Sequence, residues 1–192
     1  FIGPGAQAMD NTGGYTTDND GWVIFQTGAP GVTVTGTAPF GNIDIRNATP
    51  VELDDVIDFS GILYIRSGDL LDGGGAAGGV NITDDLLDGT GGMWPHVIVD
   101  ITTGTFSAPG TTIDTGVMYN LTYEGTNGGF AVGGETNDTV NDELFNLSVE
   151  TTGTDLISFD AAGFGTTIVS GTLNVDGPGE VLRIGAGNSL EL

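Results

Sequence analysis

Apolar residues fall along this chain in short runs, alternating with polar ones and separated by stretches rich in Gly, Asn, Asp and Thr. Alternation is plain in Ile43-Asp44-Ile45 and in Ile62-Leu63-Tyr64-Ile65-Arg66, the period of a strand with one face buried. The pattern predicts strands over Trp22 to Gln26, Val32 to Thr35, Asn42 to Arg46, Val56 to Phe59, Ile62 to Arg66 and His96 to Ile101, then a turn and strand within Thr102 to Ile113. No helix of useful length is predicted. A single helical turn is the most that Pro50-Val51-Glu52-Leu53-Asp54-Asp55-Val56 suggests, with acids near its N-terminus, where the helix dipole favours them.

The last third carries an internal repeat. Met118-Tyr119-Asn120-Leu121-Thr122-Tyr123-Glu124 returns 26 positions later as Leu144-Phe145-Asn146-Leu147-Ser148-Val149-Glu150. Further on, Gly171-Thr172-Leu173-Asn174-Val175 is echoed by Asn188-Ser189-Leu190-Glu191-Leu192, with Val181-Leu182-Arg183-Ile184 between them. A strand this short cannot bury its apolar face alone, so equivalent strands of successive coils stack and the core grows as a column. The fold expected is therefore all-β, a β-solenoid or parallel β-helix, with a jelly-roll β-sandwich as the alternative for the N-terminal half.

Residues 1–20 read as an extended arm, 21–93 as an irregular Gly-rich β region and 94–192 as the β-coil repeats, in one continuous domain or two halves. In the irregular part, Asp69-Leu70-Leu71-Asp72-Gly73 recurs as Asp85-Leu86-Leu87-Asp88-Gly89, which suggests two equivalent turns around a tract of small residues. Phe1 in the place of an initiator Met suggests a processed terminus or a piece of something longer. The last residues, Leu190-Glu191-Leu192, keep the strand pattern, which suggests a further coil or a covering partner.

On the residues Tyr119 to Tyr123, Phe145 to Val149 and Gly171 to Val175, the chain resembles secreted bacterial β-helix surface repeat proteins of the filamentous-haemagglutinin-like and type IX-secreted adhesin kinds. The resemblance covers roughly residues 117–192. It implies export, an extracellular or cell-surface location, and a structural or adhesive role without catalysis.

Composition narrows the partners. The formal net charge is −23, with 26 acidic residues against three basic ones, Arg46, Arg66 and Arg183. Such a chain repels polyanions, so nucleic acid is excluded as a partner and an anionic membrane surface is disfavoured. No run approaches the length of a membrane span, which argues against direct insertion. With no cysteine there is no disulfide scaffold, thiolate metal site or thiol catalysis. The hydrophobic fraction of 38% argues against disorder.

The acids point to solubility in a salty exterior and to Ca²⁺, which takes oxygen ligands from Asp, Asn and backbone carbonyls. Asp18-Asn19-Asp20-Gly21 is oxygen-dense, yet Thr16 and Thr27 stand where an EF-hand needs its first Asp and closing Glu. Asp69 with Asp72, and Asp84 and Asp85 with Asp88, are looser metal candidates. N-glycosylation sequons occur at Asn47, Asn81, Asn120, Asn137 and Asn146; Pro50 makes the first a poor acceptor. Asn120 and Asn146 occupy equivalent repeat positions, which suggests a stacked ladder instead. Trp22, Trp94 and Tyr119 are candidate stacking platforms for surface glycans. His96, the sole histidine, has no serine or cysteine motif beside it, and no catalytic residue is assigned. The chain thus reads as a non-enzymatic, self-associating subunit of a homopolymer, a filament or surface layer, with calcium as its one prospective cofactor. A carbohydrate-binding or polysaccharide-cleaving β-helix is the alternative.

Overall fold

The computed structural model describes residues 7–10, 22–25, 32–35, 41–46, 51–53, 56–59, 61–66, 70–72, 79–82, 96–102, 105–107, 118–132, 143–159, 166–177 and 179–192. They are all strand and turn. A nine-stranded sheet takes β2 (Trp22–Phe25), β4 (Asn42–Ile45), β7 (Ile62–Ile65), β10 (His96–Asp100), β12 (Tyr119–Gly125), β14 (Glu143–Thr151), β16 (Thr166–Val169), β17 (Leu173–Val175) and β19 (Ser189–Glu191). A five-stranded sheet takes β1 (Gln7–Asp10), β3 (Val32–Thr35), β5 (Val51–Leu53), β8 (Leu70–Asp72) and β11 (Thr105–Ser107). Three strands, β13 (Phe130–Ala131), β15 (Leu156–Phe159) and β18 (Val181–Ile184), form a third sheet, and β6 (Val56–Phe59) with β9 (Gly79–Ile82) a fourth.

Every pairing among the described residues is parallel. Parallel neighbours need a long crossover between them, and here the crossover passes through another sheet. A jelly roll needs antiparallel neighbours. The pairings of β1 to β9 are parallel, so that alternative for the N-terminal half does not hold among the described residues. The nine-stranded sheet also runs across the division drawn at residue 94, since β10 pairs directly with β7.

Strand alternation builds the core. Val23, Ile43, Leu63, Val97, Leu121 and Leu147 stack in one inward column, and Phe25, Ile45, Ile65, Val99, Tyr123 and Val149 in the next. All twelve are buried. Each such side chain contributes roughly 1.5–3 kcal/mol by leaving water, so short strands hold through the column rather than singly. Tyr123 packs tilted against Phe130, with ring centroids 5.7 Å apart.

The 26-residue repeat is the register itself: Asn120 faces Asn146, Leu121 faces Leu147, Thr122 faces Ser148, Tyr123 faces Val149 and Glu124 faces Glu150. Its first positions slip. Tyr119 lies opposite Leu144, not Phe145, because the register shifts between Tyr119 and Asn120. Leu147 to Val149 then pair with Leu173 to Val175, so Gly171 to Val175 are one coil on from the repeat. The expected echo at the C-terminus is corrected: Ser189 to Glu191 pair with Thr166 to Ile168 of β16 rather than stacking on β17. The single helical turn is corrected too. Val51–Leu53 and Val56–Phe59 are strands, β5 and β6, because their β-branched residues pair into two sheets and override the weak helical signal.

Candidate functional site

Polar side chains gather in two places: the outer face of the nine-stranded sheet and a stack of turns at the end of its longest strands. On the outer face, alternate residues of each strand line up across the sheet, so single residues in the sequence become rows. Asn146 Nδ2 donates to Asn120 Oδ1 at 2.9 Å, and Asn146 Oδ1 accepts the Thr172 amide at 2.8 Å. Asn42 Oδ1 accepts the Ile62 amide at 2.9 Å in the same way. The ladder suggested by the repeat is therefore present. It also engages the Asn146 nitrogen that a glycan would need.

Beside that ladder, His96 Nε2 lies 2.8 Å from Thr122 Oγ1, Ser148 Oγ donates to Glu150 Oε1 at 2.7 Å, and Asn174 Nδ2 donates to Ser148 Oγ at 3.3 Å. These groups rim a shallow depression of about 320 Å³. Burial pushes the His96 imidazole below its ordinary value, an effect the charge of Glu150 only partly offsets, so the ring is neutral at pH 7. One strand position further, Asp100, Glu124 and Glu150 form an in-register acidic row. Glu124 accepts a hydrogen bond from the Tyr64 hydroxyl. Burial, reinforced by the Glu150 charge, holds its carboxyl above the usual range.

At the other end of this face sits a cationic group. Asp44 is buried at 2% exposure between Arg46 and Arg66, with nitrogen-to-oxygen distances of 2.6 and 2.8 Å. Burial alone would raise its carboxyl, but hydrogen bonds from Arg66 and Arg46 outweigh that and hold it below its ordinary value. Arg66 also stacks over the Tyr64 ring, 4.0 Å from the centroid.

The turn stack lies where β12, β14 and the segment before β18 come level. Gly125 ends β12 with a φ of +87° and sits so close to Asp100 that a Cβ there would collide with its carboxylate. Asp155, 1% exposed, reaches back to this turn: its Oδ1 accepts the amides of Asn127 at 2.9 Å and Gly128 at 2.5 Å and the Thr126 hydroxyl at 3.4 Å. Burial works against the Asp155 carboxylate, yet these amides hold its carboxyl below the usual range. Thr151 Oγ1 donates to Glu180 Oε1 at 3.0 Å.

Of the residues singled out by sequence, Asp18, Asp20, Asp69, Asp84, Asp85, Asp88, Trp94, Asn47 and Asn137 lie outside the described residues. Asp72 closes β8 and Asn81 lies within β9. Trp22 is 42% exposed at the start of β2 and keeps a face for stacking. Tyr119 does not: at 1% exposure it belongs to the core, because strand alternation puts it on the same inward face as Leu121 and Tyr123. Asp44, Asp155 and Glu180 were not singled out. Asp44 had a signal, since Asp44 and Arg46 two apart share one strand face; Asp155 and Glu180 look like any turn acids until the coils stack. Among the described residues no group of three or more His, Cys, Asp or Glu is arranged to hold a metal, and no helix is long and apolar enough to cross a membrane. No family model, curated protein or solved structure matches the chain.

Proposed function

We propose that the chain is a parallel β-solenoid acting as a non-catalytic extracellular structural or adhesive subunit. It self-associates through strand edges into a filament or surface layer, assisted by calcium. Strand order supports the solenoid: apart from β16 and β17, successive strands enter different sheets, and same-sheet neighbours come from successive passes of the chain. The acidic, lysine-free composition supports a salt-exposed location.

One observation carries self-association. The inward columns are closed in the middle of the stack and open at its last strands. Val149 is 0% exposed but Val175, which pairs with it, is 40% exposed. Leu173 and Leu182 are only partly covered where Leu147 and Ile157 are fully buried. An added parallel strand, from a second copy or from a further coil of the chain itself, would cover these residues, the mode in which backbone hydrogen bonds supply affinity and alternate side chains set register. A second copy of the chain presents strands of the required kind.

Sedimentation velocity and negative-stain electron microscopy of the native protein over a range of concentrations, with and without chelator, test this reading. The expected result is concentration-dependent polymer, with Val175→Asp shifted to monomer while its circular dichroism is unchanged. A monodisperse monomer under every condition overturns it.

The depression rimmed by His96, Asn120, Asn146, Ser148 and Glu150 favours a second reading, a carbohydrate-binding or carbohydrate-cleaving β-helix, since its amides, hydroxyls and carboxylate suit sugar hydroxyls. Glycan-array binding lost in Asn174→Ala or Ser148→Ala supports it, and an empty array removes it.

A further inference from the structure

Two carboxylate oxygens in the turn stack are buried without a hydrogen-bond partner: Asp155 Oδ2 and Glu180 Oε2. Buried acceptors left without a donor cost about 1–3 kcal/mol each, more when charged, so two on one surface element call for a physical account. Asp155 cannot swing away. Its other oxygen is pinned by the Asn127 and Gly128 amides and by the Thr126 hydroxyl, and the side chain is 1% exposed. Glu180 is held by Thr151 through Oε1.

The same Thr151 hydroxyl lies against both carboxylates. It has one proton to give. Whichever carboxylate takes it, the other meets only a lone pair there, and oxygens gather without enough donors. The surrounding backbone leaves the space open. A Cβ on Gly153 would come within 3.1 Å of Asp155 Oδ2, and one on Gly177 would collide with the Glu180 carboxylate. Thr151, Thr152, Gly153, Thr154 and Glu180 line a recess of about 640 Å³ open to water.

We propose that Asp155, Glu180 and the Thr151 hydroxyl form a divalent-cation site of the calcium class, completed by water, at the turn between β14 and β15. Hard oxygen donors in an irregular arrangement suit Ca²⁺, which accepts six to eight such ligands, better than Mg²⁺, which demands an octahedron. The cation supplies the positive charge that the two unpartnered oxygens lack. It also ties together successive passes of the chain, since Asp155 already holds the turn after β12 and Glu180 precedes β18. The site goes beyond the assembly reading above and contains none of the acidic clusters that the sequence pattern singled out.

The test is titration of the full chain with Ca²⁺ by calorimetry, and with Tb³⁺ by luminescence, at physiological salt to screen diffuse binding to the acidic surface. One saturable equivalent is expected. Glu180→Gln keeps the size and one acceptor, and is expected to weaken binding by about tenfold or more, as ligand charge sets Ca²⁺ affinity. Thr151→Val is expected to weaken it as well, and Asp155→Asn serves as a third variant with its fold checked by circular dichroism. Equal saturable binding by wild type, Glu180→Gln and Thr151→Val overturns the site, as does the absence of any saturable equivalent. Sedimentation of the same samples reads assembly separately, so failure of the site and failure of self-association are told apart.

Discussion

Arg66 reaches across to the neighbouring strand and holds Asp44 with two nitrogens, Nε to Oδ1 at 2.8 Å and Nη2 to Oδ2 at 3.0 Å. The pair is asymmetric: the carboxylate side chain is 2% exposed, whereas that of Arg66 is 38% exposed. Removing the arginine therefore leaves a buried charge with Arg46 alone, while removing the acid leaves a guanidinium that water can reach. Arg66→Met is expected to cost about 1–3 kcal/mol, the cost of an under-satisfied buried group, and Asp44→Asn less. Urea denaturation at neutral pH measures both.

The same relationship sets an acid limit. A carboxyl held below its ordinary value of 3.8 contributes stability that is present above that value and lost as pH falls through the lower, folded value. Wild type is expected to lose stability in that acid window, and Asp44→Asn to lose less of it. Thermal melts from pH 5 to pH 2 read the difference.

Glu124 behaves in the opposite sense. Its carboxyl is raised above 4.5, so its ionisation weakens the fold as pH rises through the folded value. Glu124→Gln keeps an oxygen for the Tyr64 hydroxyl and removes the repulsion from Glu150. A gain of roughly 0.2–1 kcal/mol at pH 7 is expected, the range for cross-strand pairs. The gain disappears below the unfolded value, which paired melts at pH 7 and pH 3.5 check.

His96 adds a milder window. Its imidazole is lowered from 6.5, so the neutral ring stabilises the fold above that value and the contribution is lost as pH falls through the folded one. His96→Gln, which keeps a polar partner for Thr122, is expected to flatten the stability profile between pH 7 and pH 5 in chemical denaturation.

Two glycines do the same task in different coils. Gly61 follows Gly41 and Asn42 across the ladder, donating its amide to Gly41 O at 2.9 Å while the Ile62 amide reaches Asn42 Oδ1. Gly171 donates to Phe145 O at 2.7 Å while the Thr172 amide reaches Asn146 Oδ1. A Cβ on Gly171 would sit 2.5 Å from Phe145 O, and one on Gly61 would sit 2.6 Å from Gly41 O and collide with the Asn42 side chain. Alanine at either position is expected to destabilise by about 1–3 kcal/mol through overpacking. Asn146→Ala is expected to lose less at its own position, since Thr172 is exposed and its amide can turn to water. Melting curves of the three variants order them.

These glycine–asparagine brackets show how far the sequence could be read. Strand positions were legible because β-branched and aromatic residues alternate with polar ones; Val32–Thr35 and Val56–Phe59 match their predicted ranges. Register was legible where the repeat is strict, from Asn120 to Glu124. It failed opposite Tyr119, since one extra residue in β14 turns Leu144 rather than Phe145 inward while composition stays the same. It failed again for Ser189–Glu191, whose apolar-polar rhythm fits any neighbouring strand. Asp155 and Glu180 were out of reach for another reason: they meet only when separate coils lie level, and nothing within either coil marks the meeting.

One pairing in the nine-stranded sheet spans far more chain than the one before it. Ile62 stands in register with His96, just as the Ile43 beside Asn42 stands in register with Leu63, although a much longer segment intervenes. The sheet thus records where a strand returns and ignores how the chain travelled. For an engineer, the part of that connection after β9 is the natural insertion point, since β8 and β9 themselves pair with β5, β11 and β6. For evolution, it is a place where length can drift freely while the ladder continues.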